Sequence, residues 1–246
     1  MVIIPSRYGS TRLPGKPLID IAGQPLLQHV FDAATRSQAG SVHIATDDER
    51  VKDLAESFGA SAVMTSAAHR SGTDRLAEAA DILNLDENTI VVNLQGDEVG
   101  MSEKVIDQVA RLLSEHADCN MATICEPVTD PGQINDPNVV KVICDGQGRA
   151  LYFSRSVIPW PGPAAGNLNP GGEAGWFRHI GLYAYRAGFL RRFTGLPVCD
   201  LEKQESLEQL RALYHGESIL VETACESTGI GVDTQQDLER ARQVLG

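Results

Sequence analysis

The first hundred residues alternate short apolar runs with amphipathic stretches, and this alternation restricts the chain to few folds. Val2-Ile3-Ile4, Ser41–Thr46 and Ala62-Val63-Met64 read as strands. Ile90–Leu94 is an unbroken apolar run of the kind that fills the centre of a parallel sheet. Between them, Pro25–Arg36 sets Leu26, Leu27, Val30 and Phe31 at helical spacing, and Glu49–Phe58 does the same with Val51, Leu54, Ala55 and Phe58. Asp74–Leu83 reads as a further helix. Strand alternating with helix at this spacing builds βαβ units, hence an α/β sheet.

After a helix at Ser102–Ser114 the rhythm changes. Val139–Cys144 and Ala150–Ser154 flank Asp145-Gly146-Gln147-Gly148, a hairpin turn by composition. Residues 161–175 hold three prolines and five glycines and are expected to form an exposed, mobile loop. Ile180–Tyr185 resumes as a strand, Leu201–Leu213 as an amphipathic helix, Ile219–Val221 as a strand and Gln235–Val244 as a terminal helix. No repeat or linker divides the 246 residues, so the expectation is one α/β domain over 1–246 with an antiparallel insertion at 138–199.

Charge narrows the function. The chain carries 33 acidic and 21 basic side chains, a net −12, which makes it a poor binder of nucleic acid or anionic membrane. No stretch approaches the roughly 20 apolar residues of a membrane span, and the start MVIIPSRYGS lacks the basic and apolar regions of a secretory signal. Five scattered cysteines without a CxxC pair read as reduced thiols of a cytoplasmic protein. The acidity is segregated, however. Residues 1–19 have a net +3 with no acid, and residues 138–199 a net +5, against −14 for 20–137 and −6 for 200–246. Two positive segments in an acidic chain point to an anionic small molecule.

Five constellations carry possible chemistry. Pro5 through Pro17 follows the first strand, and its Gly9, Ser10, Thr11 and Gly15 let backbone N–H groups approach phosphate oxygens while Arg7, Arg12 and Lys16 neutralise them. It is not a Walker A loop, because five residues separate Gly9 from Gly15 and Pro17 stands where a hydroxyl would bind magnesium. Asn93-Leu94-Gln95-Gly96-Asp97-Glu98 ends the strongest strand, where open α/β sheets bind ligands; Asp97 is either a Mg²⁺ ligand or a turn residue. Gly231-Val232-Asp233-Thr234 precedes the last helix, and Thr234 with Asp237 fits a capping box, leaving Asp233 as metal ligand or turn residue.

His69-Arg70-Ser71-Gly72-Thr73-Asp74-Arg75 could receive a ribose or base, with Thr73 or Asp74 capping the helix. Tyr152–Arg155 and Arg178–Tyr183 set an arginine on each of two strands, which could clamp a carboxylate between Arg155 and Arg178. His29, His43, His116 and His215 lack metal spacing and read as structural, and no Ser-His-Asp order or GxSxG turn is present.

In this order, the motifs resemble the 3-deoxy-manno-octulosonate cytidylyltransferase (CMP-Kdo synthetase) family. The match runs through Ile4–Leu18, Ala45-Thr46-Asp47, His69–Arg75, Asn93–Glu98, Asn138–Lys141, Ala150–Arg155, Ile158-Pro159-Trp160, Arg178–Tyr185, Leu207–Arg211 and Gly231–Leu238. It departs at Val99-Gly100, where the family has proline and a large apolar residue, and after Trp160, where the family loop is charged.

The resemblance implies a Rossmann-like nucleotidyltransferase sheet, mostly parallel, with the antiparallel insertion used for dimerisation. It implies transfer of CMP from CTP to the anomeric hydroxyl of 3-deoxy-D-manno-octulosonate (Kdo), an acidic eight-carbon sugar, with release of pyrophosphate, as a step toward lipopolysaccharide. Lys16, Arg12 and Asp97 would be catalytic, and Arg7, Ser10, Arg12, Lys16, Ser71, Gly72 and Arg75 would bind the nucleotide. Gln95, Arg155, His179, Tyr183, Glu208 and Gln209 would contact the sugar acid, and Asp97 and Asp233 would hold Mg²⁺. It further implies a cytoplasmic homodimer that binds neither nucleic acid nor membrane. The alternatives are a cytidylyltransferase for a related acid sugar, such as an amino-substituted octulosonate or a sialic acid, and a nucleotide-binding protein without catalysis.

Overall fold

The computed structural model describes residues 1–9, 13–161 and 175–246. Strand β1 (Val2–Pro5) is followed by the small pair β2 (Asp20–Ile21) and β3 (Gln24–Pro25), then by helix α1 (Leu26–Arg36). β4 (Val42–Thr46), α2 (Glu49–Ser57), β5 (Ser61–Met64), α3 (Gly72–Ile82) and β6 (Ile90–Asn93) alternate as expected. Next come β7 (Glu98–Val99), α4 (Glu103–Ser114), β8 (Met121–Pro127), α5 (Pro131–Asn135), β9 (Lys141–Cys144), β10 (Ala150–Ser154) and β11 (Phe177–Arg186). The chain finishes with α6 (Ala187–Gly195), α7 (Asp200–Glu205), α8 (Gln209–Tyr214), β12 (Ile219–Thr223), β13 (Ile230–Gly231) and α9 (Gln235–Leu245).

Among the described residues, nine strands form one sheet in the order β10-β9-β11-β6-β1-β4-β5, with β8 joined to β11 and β12 to β8. β1, β4, β5, β6, β8, β9 and β12 run one way, and only β10 and β11 oppose them. The mostly parallel α/β fold is therefore present. β1 is buried along its whole length because its alternate side chains face two cores. Val2 and Ile4 pack with Leu27 and Val30 of α1 and Val105 and Val109 of α4. Ile3 packs on the other face with Leu76 and Ala80 of α3 and Phe189 and Phe193 of α6. This three-layer arrangement aims the carboxyl ends of β1, β4 and β6 at one edge, where ligands of such sheets bind.

A second, two-stranded sheet completes that edge. β13 pairs antiparallel with β7, Ile230 opposite Val99 and Gly231 opposite Glu98. Gly229 enters β13 at φ +78, and a Cβ there would lie 2.4 Å from the Val99 carbonyl oxygen, so only glycine allows this approach. Of the Val99-Gly100 departure, Val99 is thus paired within this sheet and Gly100 directly follows it at φ +76.

Two sequence expectations change, and one strand is added. The helix over Leu201–Leu213 is two, α7 and α8, because Ser206 takes a left-handed conformation at φ 52 and caps the first. β8 went unread although Met121–Cys125 is an apolar buried run; it pairs with β11 and β12 and links the parts of the sheet. The segment 138–199 supplies the antiparallel strands β10 and β11, and β11 pairs directly with central β6. Neither Thr73 nor Asp74 caps α3: Ser71 does, in a capping box with Asp74. The expected turn at 145–148 forms, with Asp145 Oδ1 accepting from the Gln147 and Arg149 amides. Most of the loop expected at 161–175 lies outside the described residues.

Candidate active site

At the carboxyl edge lies a cleft of about 280 Å³, lined among others by Arg7, Lys16, Arg70, Arg75, Asp97 and Asp233. The segment after β1 forms one wall. Its Tyr8 ring is held between the Arg50 guanidinium, 3.4 Å from the ring centroid, and Gly15, whose Cβ position would lie 3.3 Å from the Tyr8 hydroxyl. Asp48 binds Arg50 through both carboxylate oxygens, at 2.9 and 2.6 Å, which fixes the stack to the start of α2. Gly96, after β6, forms the floor: a Cβ there would meet the Pro5 carbonyl oxygen at 2.9 Å, so β1 and β6 approach closely at their ends. Opposite stands the start of α3, where Gly72 faces Pro5 and Gln95.

Lys16 is nearly buried and reaches across the cleft. Its Nζ donates to Asp97 Oδ2 at 2.6 Å, to the Val232 carbonyl at 2.7 Å and to Asp233 Oδ1 at 2.9 Å. Burial alone would lower the Lys16 pKa, but the two carboxylates outweigh it and raise it, so the ammonium stays charged. The β7–β13 pair sets these acids side by side, with the Val232 amide also donating to the Asp97 carbonyl. Glu98 follows Asp97 in the chain, and burial, reinforced by the Asp97 and Asp233 charges, pushes its carboxyl up to about 7.

The cations divide into held and free. Arg75 is buried and engaged, with Thr65 Oγ1 at 2.5 Å and Asp47 at 3.0 Å. Arg7 and Arg70 are exposed on the cleft and have no carboxylate partner among the described residues. Arg70 was not singled out from the sequence; its place directly before the helix-capping Ser71 was the available signal. Ser10 and Arg12 lie outside the described residues.

A second group adjoins this cleft through α3. Thr73 Oγ1 donates to Glu208 Oε2 at 2.5 Å, and Ser71 also bonds Glu208. Burial raises the Glu208 carboxyl, opposed by those bonds. Beside it, the buried Gln209 Nε2 meets no acceptor among the described residues, a donor left for a polar ligand.

On β11, His179 stands 5.2 Å from the Tyr183 ring and 5.0 Å from Phe153. The residue is partly buried, and desolvation pushes its pKa down to about 3. The Thr123 hydroxyl faces the Ile180 and Leu182 carbonyls, which take its one proton, so at 3.1 Å it accepts from His179 Nε2. His179 is a neutral, oriented donor and not a general acid. Arg178 does not join Arg155 in a clamp: it pairs with Glu126 at 2.7 Å, while Glu126 also accepts from the Thr228 hydroxyl at 2.6 Å. That pairing anchors the segment leading to Asp233.

Arg7, Lys16, Ser71, Gly72, Arg75, Gln95, Asp97 and Asp233 are thus gathered around one cleft, while Arg155, His179, Tyr183, Glu208 and Gln209 lie outside its lining. A larger cavity of about 540 Å³ at the opposite end of β1 and β6 is not the better candidate. Its charged groups are already paired, Lys104 with Glu226 and Arg111 with Glu115 and Glu222, and Asp107 accepts from the Gln38 amide.

The family described as Cytidylyltransferase matches residues 1–219. Over 99% of its length the chain is 50% identical to the 3-deoxy-manno-octulosonate cytidylyltransferase of Hahella chejuensis, covering 96% of that protein. Over its full length it is 52% identical to the enzyme of the same name from Pseudomonas fluorescens, covering 97% of it. Among solved structures, a CMP:2-keto-3-deoxy-manno-octonic acid synthetase complexed with CTP superposes with a TM-score of 0.91 at 39% identity, over 99% of this chain and 97% of that one. A 4-diphosphocytidyl-2C-methyl-D-erythritol synthase, 13% identical with a TM-score of 0.65, shares the fold.

Proposed function

The chain belongs to the 3-deoxy-manno-octulosonate cytidylyltransferase family, and from this we infer that it transfers CMP from CTP to the anomeric hydroxyl of Kdo, releasing pyrophosphate. The observation that carries the reading is the Lys16 ammonium joined to Asp97 and Asp233 in a cleft that also presents Arg7 and Arg70, which have no carboxylate partner among the described residues. A triphosphate needs that concentration of positive charge, and carboxylates facing it need a cation to be compatible with it.

The residues suit a divalent ion. Asp97 and Asp233 converge on one point, since both bond a single nitrogen, and both offer hard oxygen donors. Two carboxylates are enough for Mg²⁺, which takes its remaining positions from substrate phosphates and water. The bound ion would neutralise phosphate charge as pyrophosphate leaves. The protein's own part is positioning. Lys16 holds a charge against the phosphates, Arg7 reaches them from the rim, and Ser71 with Gly72 leaves room for the nucleoside beside Pro5 and Gln95. Glu208 and Gln209 offer an acceptor and a free donor to sugar hydroxyls, His179 and Tyr183 shape the wall, and Arg155 receives the sugar carboxylate. Holding the hydroxyl in line with the α-phosphorus makes the step effectively unimolecular.

We further propose a cytoplasmic homodimer. All five cysteines are free thiols, as suits a reducing compartment. Leu151 on β10, Leu201 on α7 and Tyr214 on α8, with Trp160 after β10, expose large apolar surfaces on neighbouring elements, which a second copy would cover. The deciding experiment supplies CTP, Mg²⁺ and, in turn, Kdo, an amino-substituted octulosonate and a sialic acid, and follows pyrophosphate. Release with Kdo supports the reading; release with a sialic acid alone overturns it.

A further inference from the structure

Lys141 on β9 is fully buried, and among the described residues no carboxylate pairs with it. Its Nζ donates to three backbone carbonyls instead: Asp136 at 3.0 Å, Val139 at 2.6 Å and Arg155 at 2.7 Å. An ammonium has three N–H groups, so every donor is used. Filling this volume alone would favour an apolar side chain, because removing an ammonium from water is costly even after relaxation. The lysine instead ties the turn before β9 to the end of β10, at the residue that carries the Arg155 guanidinium.

That guanidinium is held in the same way. Arg155 Nε donates to the Glu205 carbonyl at 2.7 Å, Nη1 to the Pro137 carbonyl at 2.9 Å and Nη2 to the Ser206 carbonyl at 3.5 Å. The Glu205 carboxylate is occupied elsewhere, accepting from the Ser154 hydroxyl at 2.5 Å and the Arg155 amide at 2.9 Å. Three of five guanidinium donors therefore rest on carbonyls and, among the described residues, none on a carboxylate. The charge is not cancelled, and the remaining Nη hydrogens suit a planar carboxylate.

We propose that Lys141 is a positioning residue for the acid group of the sugar substrate. It locks the Arg155 carbonyl and the Asp136–Val139 turn, so that the Arg155 guanidinium is preset in orientation and keeps its full charge for the incoming carboxylate. This rests on the reading that Arg155 contacts the sugar acid.

Steady-state kinetics with CTP and Kdo varied separately test it on Lys141→Met, Glu205→Gln and Arg155→Ala, with circular dichroism to establish folding. The expected result for folded Lys141→Met is a KM for Kdo raised tenfold or more with the KM for CTP within twofold. If Lys141→Met does not fold, Glu205→Gln, which loosens the same node, is expected to raise the Kdo KM at least threefold with the CTP KM unchanged. An unchanged Kdo KM in whichever folded variant is read, or a parallel rise in both constants, overturns the proposal. Arg155→Ala separates the two levels. If it leaves the Kdo KM unchanged, the carboxylate contact and this inference fall together; if it raises that KM while Lys141→Met does not, only the inference falls.

Discussion

One ammonium, that of Lys16, hydrogen-bonds Asp97 Oδ2 at 2.6 Å and Asp233 Oδ1 at 2.9 Å, joining residues 81 and 217 positions distant in the chain. The basic segment after β1, the end of the central strand and the start of the last helix meet at this nitrogen. Each of the three was a separate motif in the sequence, and none by itself required the others.

Replacing Lys16 with methionine removes that centre while keeping most of its volume. Turnover is expected to fall about 10²–10³-fold, the usual cost of one preorganised charge-stabilising donor. Initial rates of pyrophosphate release at saturating CTP measure it, and a variant within tenfold of the parent would refute the role.

Asp97→Asn is expected to abolish turnover while CTP binding survives in part, because the amide keeps the shape but not the charge. Chelating divalent ions with EDTA should stop the unmodified enzyme equally, and added Mg²⁺ should restore it. Calorimetric titration with CTP separates binding from turnover; full activity of the variant would take Asp97 out of the mechanism.

Gly229 tests whether the β7–β13 pair is what delivers Asp233. Alanine there would place Cβ 2.4 Å from the Val99 oxygen and 2.7 Å from the Met101 nitrogen, at φ +78. Those neighbours are backbone, so the pair must open, at a cost above about 1 kcal/mol. The expected outcome is a lower Tm and lost activity together. An alanine variant with parental Tm and rate would show that the pair is dispensable.

Glu98 gives a pH dependence with a definite sign. Its carboxyl sits at about 7 in the folded chain against 4.5 as the ordinary value. Between those values the folded state binds more protons than the unfolded one, so stability falls as pH rises through this window. In EDTA, Glu98→Gln should flatten that slope and be the more stable form at pH 8, by less than about 3 kcal/mol. Urea unfolding at several pH values reads it, and parallel curves for both proteins would count against the assignment.

His179 should not appear in the pH–rate profile. Desolvation holds it neutral down to about 3, so His179→Gln is expected to raise the KM for Kdo without moving any inflection of kcat between pH 5 and 8. Loss of an inflection near neutrality in that variant would restore an acid–base role.

Much of the fold was legible because hydrophobic period reports burial directly. β1 extends the expected Val2–Ile4 by one residue, Ile90–Asn93 sits inside its expected strand, and Leu26–Arg36 and Glu49–Ser57 sit inside their expected helices. Where tertiary contacts outweigh local pattern, the reading slipped. The Leu201–Leu213 periodicity continues across Ser206, but the chain breaks there in a left-handed turn that no local motif announced. Arg155 and Arg178 looked alike in sequence, and only the position of Glu126 on the neighbouring β8 separates a guanidinium paired with a carboxylate from one that rests on backbone carbonyls.

By itself the sequence determined the α/β class, the basic segment at the end of β1 and the acidic motifs after β6 and before the last helix. These follow from local chemistry: the period of apolar residues, the conformational freedom of glycine and the fixed charge of arginine and lysine. Only the tertiary structure decided which charges meet. It bound Lys16 to Asp97 and Asp233, withdrew Arg178 and caged Lys141 among three carbonyls. The physical reason is that a charge interacts over a few ångströms of space, whatever its distance along the chain.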